Sequence, residues 1–453
     1  MLQHQQSLTL SEDQLEALDR ALSGNMPEHT RHMLGSLSAA DIAHLLESSP
    51  PRQRSILWKL IPVEEEGDVL NELGEEVRQF FIDQMNVAEL IDILEDQDVD
   101  DMADILQQLP TRITRQVLNS MDHQNRQRVE EVLAYPEDTA GGLMNTDTLT
   151  MRGDIDVDVA LRYLRRHESL PEPVDKVLIV DRKDYLLGSV SIANLLTADP
   201  DTLLNSLMDE SDQGIPVSME DTHVAQLFER EDLVSAPVVD EQGHLLGRIT
   251  VDDVVDVIRE EAEHSIMSMA GLDEDEDTFA PVIKTSRRRA IWLGINLLTA
   301  FIASGVIGLF QDTIDKVVAL AVLMPIVASM GGIAGSQTLT LIIRAMALGQ
   351  IGRSNTSWLL RREFLVGLLN GGIWAVVVAG AAWLWFDDPT IALIIGLAMV
   401  INLLIAVLAG AMLPLALKAM DIDPALAGSV ILTTVTDVVG FLAFLGLASL
   451  FYG

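Results

Sequence analysis

Residues 426–451 read LAGSVILTTVTDVVGFLAFLGLASLF, a run of 26 residues in which Asp437 is the only carboxylate. A bilayer core takes about 20 residues of apolar helix, so this stretch is long enough to cross it. A charge at the middle of such a helix costs about 2.5–3.5 kcal/mol even on the lenient insertion scale, and it normally faces a polar interior. Ser429, Thr433, Asp437 and Gly440 follow one another at i, i+4, i+8 and i+11, which puts them on one helix face. Two readings stand: a buried aspartate pairing with another helix for packing, or a cation path lined by Asp437. No basic residue lies deep inside another span to serve as its partner.

Working upstream, four more apolar stretches follow the same rule, giving spans near 290–310, 317–345, 364–386, 390–417 and 426–451. The second holds Met324-Pro325 and then Gly331-Gly332-Ile333-Ala334-Gly335-Ser336-Gln337. Proline and clustered glycine suggest an interrupted helix, with the freed backbone lining a polar cavity and Gln337 inside the bundle. Glycine for close helix packing is the competing reading. Basic residues orient the spans. Lys284, Arg287, Arg288, Arg289, Arg344, Arg353, Arg361, Arg362 and Lys418 fall on one side, against Lys316 on the other. The expectation is a multi-pass protein of the cell (inner) membrane with its N-terminal half cytoplasmic and its C-terminus outside.

The chain has 453 residues and a net charge of −38, unevenly placed. Residues 1–280 hold 60 acidic and 20 basic residues, whereas 281–453 hold 8 and 10. So acidic a half argues against nucleic acid, which needs basic patches, and would instead either repel itself or collect cations. Without cysteine there are no disulfides or thiolate sites. The first 30 residues are polar, so no cleavable signal peptide is expected and the first span serves as its own insertion signal. No His-Glu-x-x-His, Gly-x-Ser-x-Gly or phosphate-loop pattern is present, which speaks against an enzyme.

Residues 1–135 read as helical throughout: short amphipathic runs such as Asp41–Leu46, Ala88–Leu94, Asp101–Leu106 and Arg128–Leu133, punctuated by proline and acidic start signals, fit a solenoid. Asp92 to Asp104 packs seven carboxylates into thirteen residues, either a solvated face or a divalent-cation site. Beyond them lies a duplication. Val177-Leu178-Ile179-Val180-Asp181 and Leu186-Leu187-Gly188-Ser189-Val190-Ser191 return 59 residues later as Ala236-Pro237-Val238-Val239-Asp240 and Leu245-Leu246-Gly247-Arg248-Ile249-Thr250. Each copy reads strand, turn, strand, helix. Two such copies resemble a tandem pair of CBS domains, modules that often sense adenine nucleotides, so ATP is a candidate ligand. Residues 252–273 then form an acidic helix with Asp253, Asp256 and Glu260 on one face, followed by an acidic loop from Gly271 to Asp277 as a candidate joint.

In this order the parts resemble the MgtE family of magnesium channels over nearly the whole chain. The resemblance rests on Ala134-Tyr135-Pro136-Glu137-Asp138-Thr139-Ala140-Gly141-Gly142-Leu143-Met144, Thr250 to Val257, Pro325 with Gly331-Gly332, Gly335 and Gln337, Arg362-Glu363, and Asp423-Pro424-Ala425-Leu426 leading to Thr436-Asp437. It implies a multidomain membrane protein: an α-helical solenoid (1–135), an α/β tandem CBS pair (136–203 and 204–258), an acidic linker helix (259–285) and a five-span α-helical pore domain (286–453). It further implies a homodimer whose pore is formed by spans 2 and 5 of both subunits. Asp437, Thr433, Ser429, Gly331, Gly332 and Gln337 would line the path. Closure by Mg2+ would use a sensor set of Asp100, Asp104, Gly141, Glu220, Asp232, Asp253, Asp256 and Glu261, with Asp423 on the membrane side. There are three departures from the family: Ile333 and Ser429 stand where asparagine is usual, and His264-Ser265 replaces an acidic pair.

Mg2+ is small, hard and slow to shed water. A fixed ring of Asp437 carboxylates and Thr433 hydroxyls from two subunits would hold it hydrated, while Ca2+ prefers irregular direct cages. Co2+ would pass as a hydrated divalent. Moving an open–closed ratio from 1:99 to 99:1 takes about 5.5 kcal/mol of differential binding, which several ions on the acidic faces would supply. The alternatives are a proton-coupled divalent-cation carrier, with Asp437 as the proton site, and a CBS nucleotide sensor with no transport role.

Overall fold

Proline, glycine and capping side chains cut the N-terminal region into short helices. The computed structural model describes residues 27–452 apart from 95–96, 167–169, 171–172, 273–275, 353 and 421, with side chains from residue 31. Glu95 and Asp96 of the acidic run, residues 273–275 of the acidic loop, Arg353 and residues 1–26 of the expected solenoid therefore lie outside the described residues. The helices are α1 (Pro27–Leu34), α2 (Ala39–Glu47), α3 (Pro51–Trp58), α4 (Glu66–Asn71), α5 (Glu75–Ile82), α6 (Val87–Leu94), α7 (Val99–Gln107), α8 (Thr111–Ser120) and α9 (His123–Val132). Ser38 starts α2 with a reciprocal cap: its Oγ accepts from the Asp41 amide at 3.2 Å, and Asp41 Oδ2 accepts from the Ser38 amide at 3.4 Å. Asp122 caps α9 through the Gln124 and Asn125 amides. Too short to be stable alone, these helices hold by burying one apolar face each, with Leu46, Leu57, Leu70, Leu94, Ile105 and Leu106 at the centre.

The duplication folds as two three-stranded sheets. The first joins β1 (Thr150–Arg152), β2 (Lys176–Val180) and β3 (Leu186–Ser191), with α10 (Val157–Leu164), α11 (Ile192–Thr197) and α12 (Leu204–Leu207). The second joins β4 (Ile215–Pro216), β5 (Ser235–Val239) and β6 (Leu245–Thr250), with α13 (Asp221–Glu231) and then α14 (Val251–Met269). In both, a parallel pair is followed by an antiparallel pair, with a bulge at the same place, between Ile179 and Val180 and between Val238 and Val239. The aspartate that closes each first repeat strand builds the turn. Asp181 Oδ1 accepts from the Lys183 and Tyr185 amides, and Asp240 Oδ1 from those of Gln242 and His244. The two turn tips meet, Tyr185 over His244 with ring centroids 4.0 Å apart. Ile215, Val238 and Ile249 of the second sheet share one core with the helices α2 to α9, while the first sheet keeps a core of its own.

The linker helix runs earlier than the expected 259–285: α14 covers Val251–Met269, because Thr250 and Asp253 cap it directly off β6. The first long apolar helix likewise begins at Val282 rather than 286, after Pro281. Five helices among the described residues are long and apolar enough to cross a membrane: α15 (Val282–Gly308), α17 (Ala319–Ala347), α18 (Thr356–Phe386), α19 (Pro389–Lys418) and α20 (Pro424–Tyr452). A short α16 (Gln311–Lys316) sits between the first two. The chain divides into two compact units, the second built on these helices and the end of α14. In that second unit α19 is central, with 61% of its most apolar window buried, and α15 is peripheral at 6%.

The second span is a correction to expectation. It is one continuous helix through Pro325 and the glycines. Proline in the second turn removes a single backbone bond near the helix start, and the glycines are points of close approach rather than breaks. A Cβ on Gly335 would sit 2.9 Å from Leu432 of α20 and 3.1 Å from the Ala406 carbonyl of α19. Small residues that let helix backbones approach are the usual device for packing in an apolar solvent. Gln337, expected inside the bundle, lies on the exposed face of α17, because the glycines that turn inward fix the helix phase.

Candidate ion path and acidic cluster

In the helical unit, Gly332, Ile333, Ser336, Gln337 and Thr340 line an open groove of about 620 Å³. They stand on one face of α17. Gly332 leaves that face open, with nothing within 4 Å of where a Cβ would be, whereas Gly331 turns into the bundle against Asn402. Ile333 is 54% exposed, so an apolar side chain occupies the middle of the groove. Asp437, Thr433 and Ser429 follow on α20, a direct neighbour of α17, but do not themselves line the groove. Asp437 is half-buried, and among the described residues no cation or hydrogen-bond donor meets its carboxylate. Thr433 is exposed, and its hydroxyl donates back to the Ser429 and Val430 carbonyls at 3.1 and 3.0 Å. Its oxygen lone pairs therefore remain free to accept from a hydrated ion.

One end of the groove meets α14. Thr340, at its edge, donates to Met269 Sδ at 3.8 Å, and Met269 packs on Leu339, Ile343, Ala425 and Leu432. Close by, Asp423 caps α20 by accepting from the Ala425 and Leu426 amides at 2.8 and 2.9 Å. His264 Nε2 stands 3.4 Å from Asp423 Oδ2. The residue that departs from the acidic pattern therefore faces the membrane-side sensor candidate.

Of two buried polar residues in the bundle, Asn402 escaped the sequence reading and Glu363 entered it only as part of the Arg362-Glu363 match. Asn402 is fully buried in α19, and Glu363 of α18, 3% exposed, accepts from Thr338 of α17 at 3.3 Å and from Arg362 at 2.6 Å. The signal was available for Asn402, an amide alone in the middle of an apolar span.

The first unit gathers Asp100, Asp104, Asp253 and Asp256, with Asp98, Asp101, Glu72, Glu137 and Glu260 around them. Carboxylate oxygens of Asp98, Asp100 and Asp101 lie within 4.8 Å of one another. Burial, and then neighbouring carboxylates, push the acids up: Asp101 to about 6, Asp104 to about 7 and Asp253 to about 7, with Asp100 also well above the usual range. The Arg78 guanidinium opposes this at Asp101 and Asp104. Asn145 Nδ2 donates to Asp100 at 3.2 Å, and Asp253 Oδ2 accepts from the Thr250 hydroxyl and amide at 3.0 and 3.3 Å. An all-oxygen donor set under mutual repulsion fits a hard divalent cation such as Mg2+. The other candidates differ in exposure. Glu220 is exposed beside His223 at 3.2 Å, Asp232 is exposed at the left-handed end of α13, and Glu261 is exposed on α14. Gly141 is buried behind Tyr135, its amide donating to the Val217 carbonyl at 3.0 Å.

Five membrane-length helices following a helical domain and a duplicated α/β module, with a half-buried carboxylate, unpartnered among the described residues, on a helix next to an open groove, define a multi-pass membrane protein of the ion-transporter class. Family models agree part by part: MgtE, a divalent cation transporter, over residues 324–447; the MgtE intracellular N domain over 37–138; and CBS domains over 140–201 and 214–260. The magnesium transporter MgtE of Thermus thermophilus is 31% identical over 96% of this chain and 97% of its own length. That of Bacillus subtilis is 25% identical over 93% of both. A crystal structure of the cytosolic domain of the Mg2+ channel MgtE in complex with ATP aligns over 54% of this chain and 99% of that one, at 31% identity and a TM-score of 0.49. The chain belongs to the MgtE family of magnesium transporters.

Proposed function

We propose that this protein imports Mg2+ as a homodimeric channel, with Asp437 of both subunits on the path and Thr433, Ser429, Gly332 and Gln337 beside it. The observation that carries the reading is the half-buried Asp437 carboxylate, without a protein partner among the described residues, one helix away from an open face that carries Ser336, Gln337 and Thr340. A carboxylate in an apolar bundle needs a counter-charge, and a passing hydrated cation supplies one. The wide face suits an ion held through its water shell, which favours Mg2+ and admits Co2+ as a competitor. The test is Mg2+ uptake into proteoliposomes by wild type and Asp437→Ala, with Co2+ and Ca2+ competing. Normal uptake by the variant would sink the proposal, and loss of uptake on collapsing a pH gradient alone would favour a proton-coupled carrier.

Regulation is part of the same proposal. Mg2+ on the Asp98–Asp104 cluster with Asp253 and Asp256 would offset the burial and mutual repulsion of these carboxylates, and so favour one arrangement of the acidic half. The end of α14 against Thr340 gives that change a route to the groove. Gly141, Glu220, Asp232, Glu261 and Asp423 complete the proposed sensor set, and ATP is the proposed ligand of the CBS pair. The acidic half would lie in the cytoplasm of a cell whose inner membrane the helices cross, on the strength of the basic flanks. If deleting residues 1–280 left block by Mg2+ intact, this regulation would be wrong.

A further inference from the structure

Asn402 lies at the middle of α19 with 0% exposure. Its Nδ2 donates to the Val327 carbonyl of α17 at 2.7 Å. In a helix that carbonyl also receives the Gly331 amide, so the side chain docks on an intact turn. The amide group is held between two glycines. A Cβ on Gly331 of α17 would overlap Asn402 Nδ2, and one on Gly440 of α20 would come within 2.9 Å of it. Gly331 adjoins Gly332 and Ile333 of the groove, and Gly440 stands one turn beyond Asp437. Asn402 Oδ1 is buried and accepts no hydrogen bond among the described residues. An orphan acceptor in an apolar bundle is a standing cost. A leucine would avoid it, but would leave the Val327 carbonyl without its second donor.

We propose that Asn402 is a positioning residue for ion discrimination. Wedged between Gly331 and Gly440 and bonded to Val327, it sets the spacing of α17 against α20, and with it the distance between the groove face and the Asp437 stripe. It touches neither the groove nor the ion. A hydrated Mg2+ is told from Ca2+ by a site of fixed width, because Ca2+ adapts to irregular cages and Mg2+ does not. Loosening the wedge therefore degrades selectivity before it degrades flux. The inference rests on reading α17 and α20 as the walls of the path.

The test uses the full-length protein in proteoliposomes, with Mg2+ and Ca2+ as the probes, and compares wild type, Asp437→Ala, Asn402→Ala and the double variant Asn402→Ala/Gly331→Ala. Asn402→Ala is expected to keep Mg2+ uptake within about threefold while its preference for Mg2+ over Ca2+ falls about five- to tenfold, the equivalent of one net hydrogen bond. In the double variant the new methyl refills the vacated space, so thermal stability returns towards wild type but discrimination does not, because the bond to Val327 is still missing. Wild-type discrimination in Asn402→Ala, or its recovery in the double variant, would overturn the proposal. Should Asn402→Ala fail to assemble, the repacked double variant carries the comparison. Uptake that survives Asp437→Ala would bring down the path itself. Uptake lost there with discrimination unchanged on altering Asn402 would bring down this inference alone.

Discussion

At the scale of single residues, neighbours in sequence divide by the face they present. Gly331 and Gly332 look alike on paper, yet one packs against Asn402 and the other opens onto the groove. Gly331→Ala is expected to destabilise the protein by about 1–3 kcal/mol through overpacking, and Gly332→Ala to leave stability unchanged, as thermal unfolding in detergent would report. Asp437→Asn keeps the shape of the side chain and removes its charge. Mg2+ uptake should fall about 10- to 100-fold, the weight of one hydrogen bond to a charged group. Thr433→Ala should cost less, since that hydroxyl proton is already committed to its own helix. Asp437 was legible from sequence because a charge among Leu, Val and Phe is conspicuous. Asn402 was equally conspicuous, but its meaning depends on a carbonyl 75 residues away. The phase that separates Gly331 from Gly332 likewise depends on which helices touch, and no spacing rule contains that.

At the scale of elements, the repeat with its 59-residue offset was fully readable, because both copies carry the same turn-building aspartate and the same capping Ser or Thr. The parallel strands β1 and β4 were not, being three and two residues long and held by pairing alone. The break expected in the second span did not materialise, since proline near a helix start and glycines at a crossing disturb little. Helix α14 serves two masters. Its first turn places Asp253 as cap partner and cluster member at once, and its far end places His264 beside Asp423. Replacing His264 with Glu would put a second carboxylate against Asp423. The Mg2+ concentration for half-block is then expected to drop about fivefold, the low end of common coupling strengths, in a flux assay with varied internal Mg2+.

At the scale of the whole molecule, charge makes stability answer to pH and to divalent ions together. Asp101, Asp104 and Asp253 hold their protons to about 6, 7 and 7 in the folded chain, whereas an unfolded aspartate releases its proton near 3.9. Folding therefore takes up protons between about pH 4 and 7, and in chelator stability falls as pH rises through that window. Mg2+ favours the ionised carboxylates and should flatten or reverse the slope, most visibly near pH 8, which melting curves at pH 5 and 8 with and without Mg2+ would reveal.

A second charged contact bears on where the acidic half ends. Arg54, 1% exposed, donates to both oxygens of Asp277 at 2.5 and 2.7 Å and to the Leu46 and Glu47 carbonyls. Asp277 belongs with the first unit although it lies downstream of His264, which belongs with the second. The acidic half is thus not a bead severable at the end of α14, because its last stitch lies beyond that helix. A fragment ending at Ala280 keeps the pair, and one ending at Glu263 leaves a guanidinium buried against carbonyls alone. Losing one member of a buried ion pair commonly costs about 3–5 kcal/mol. The shorter fragment should therefore melt well below the longer one, and its ion titrations would describe a damaged protein.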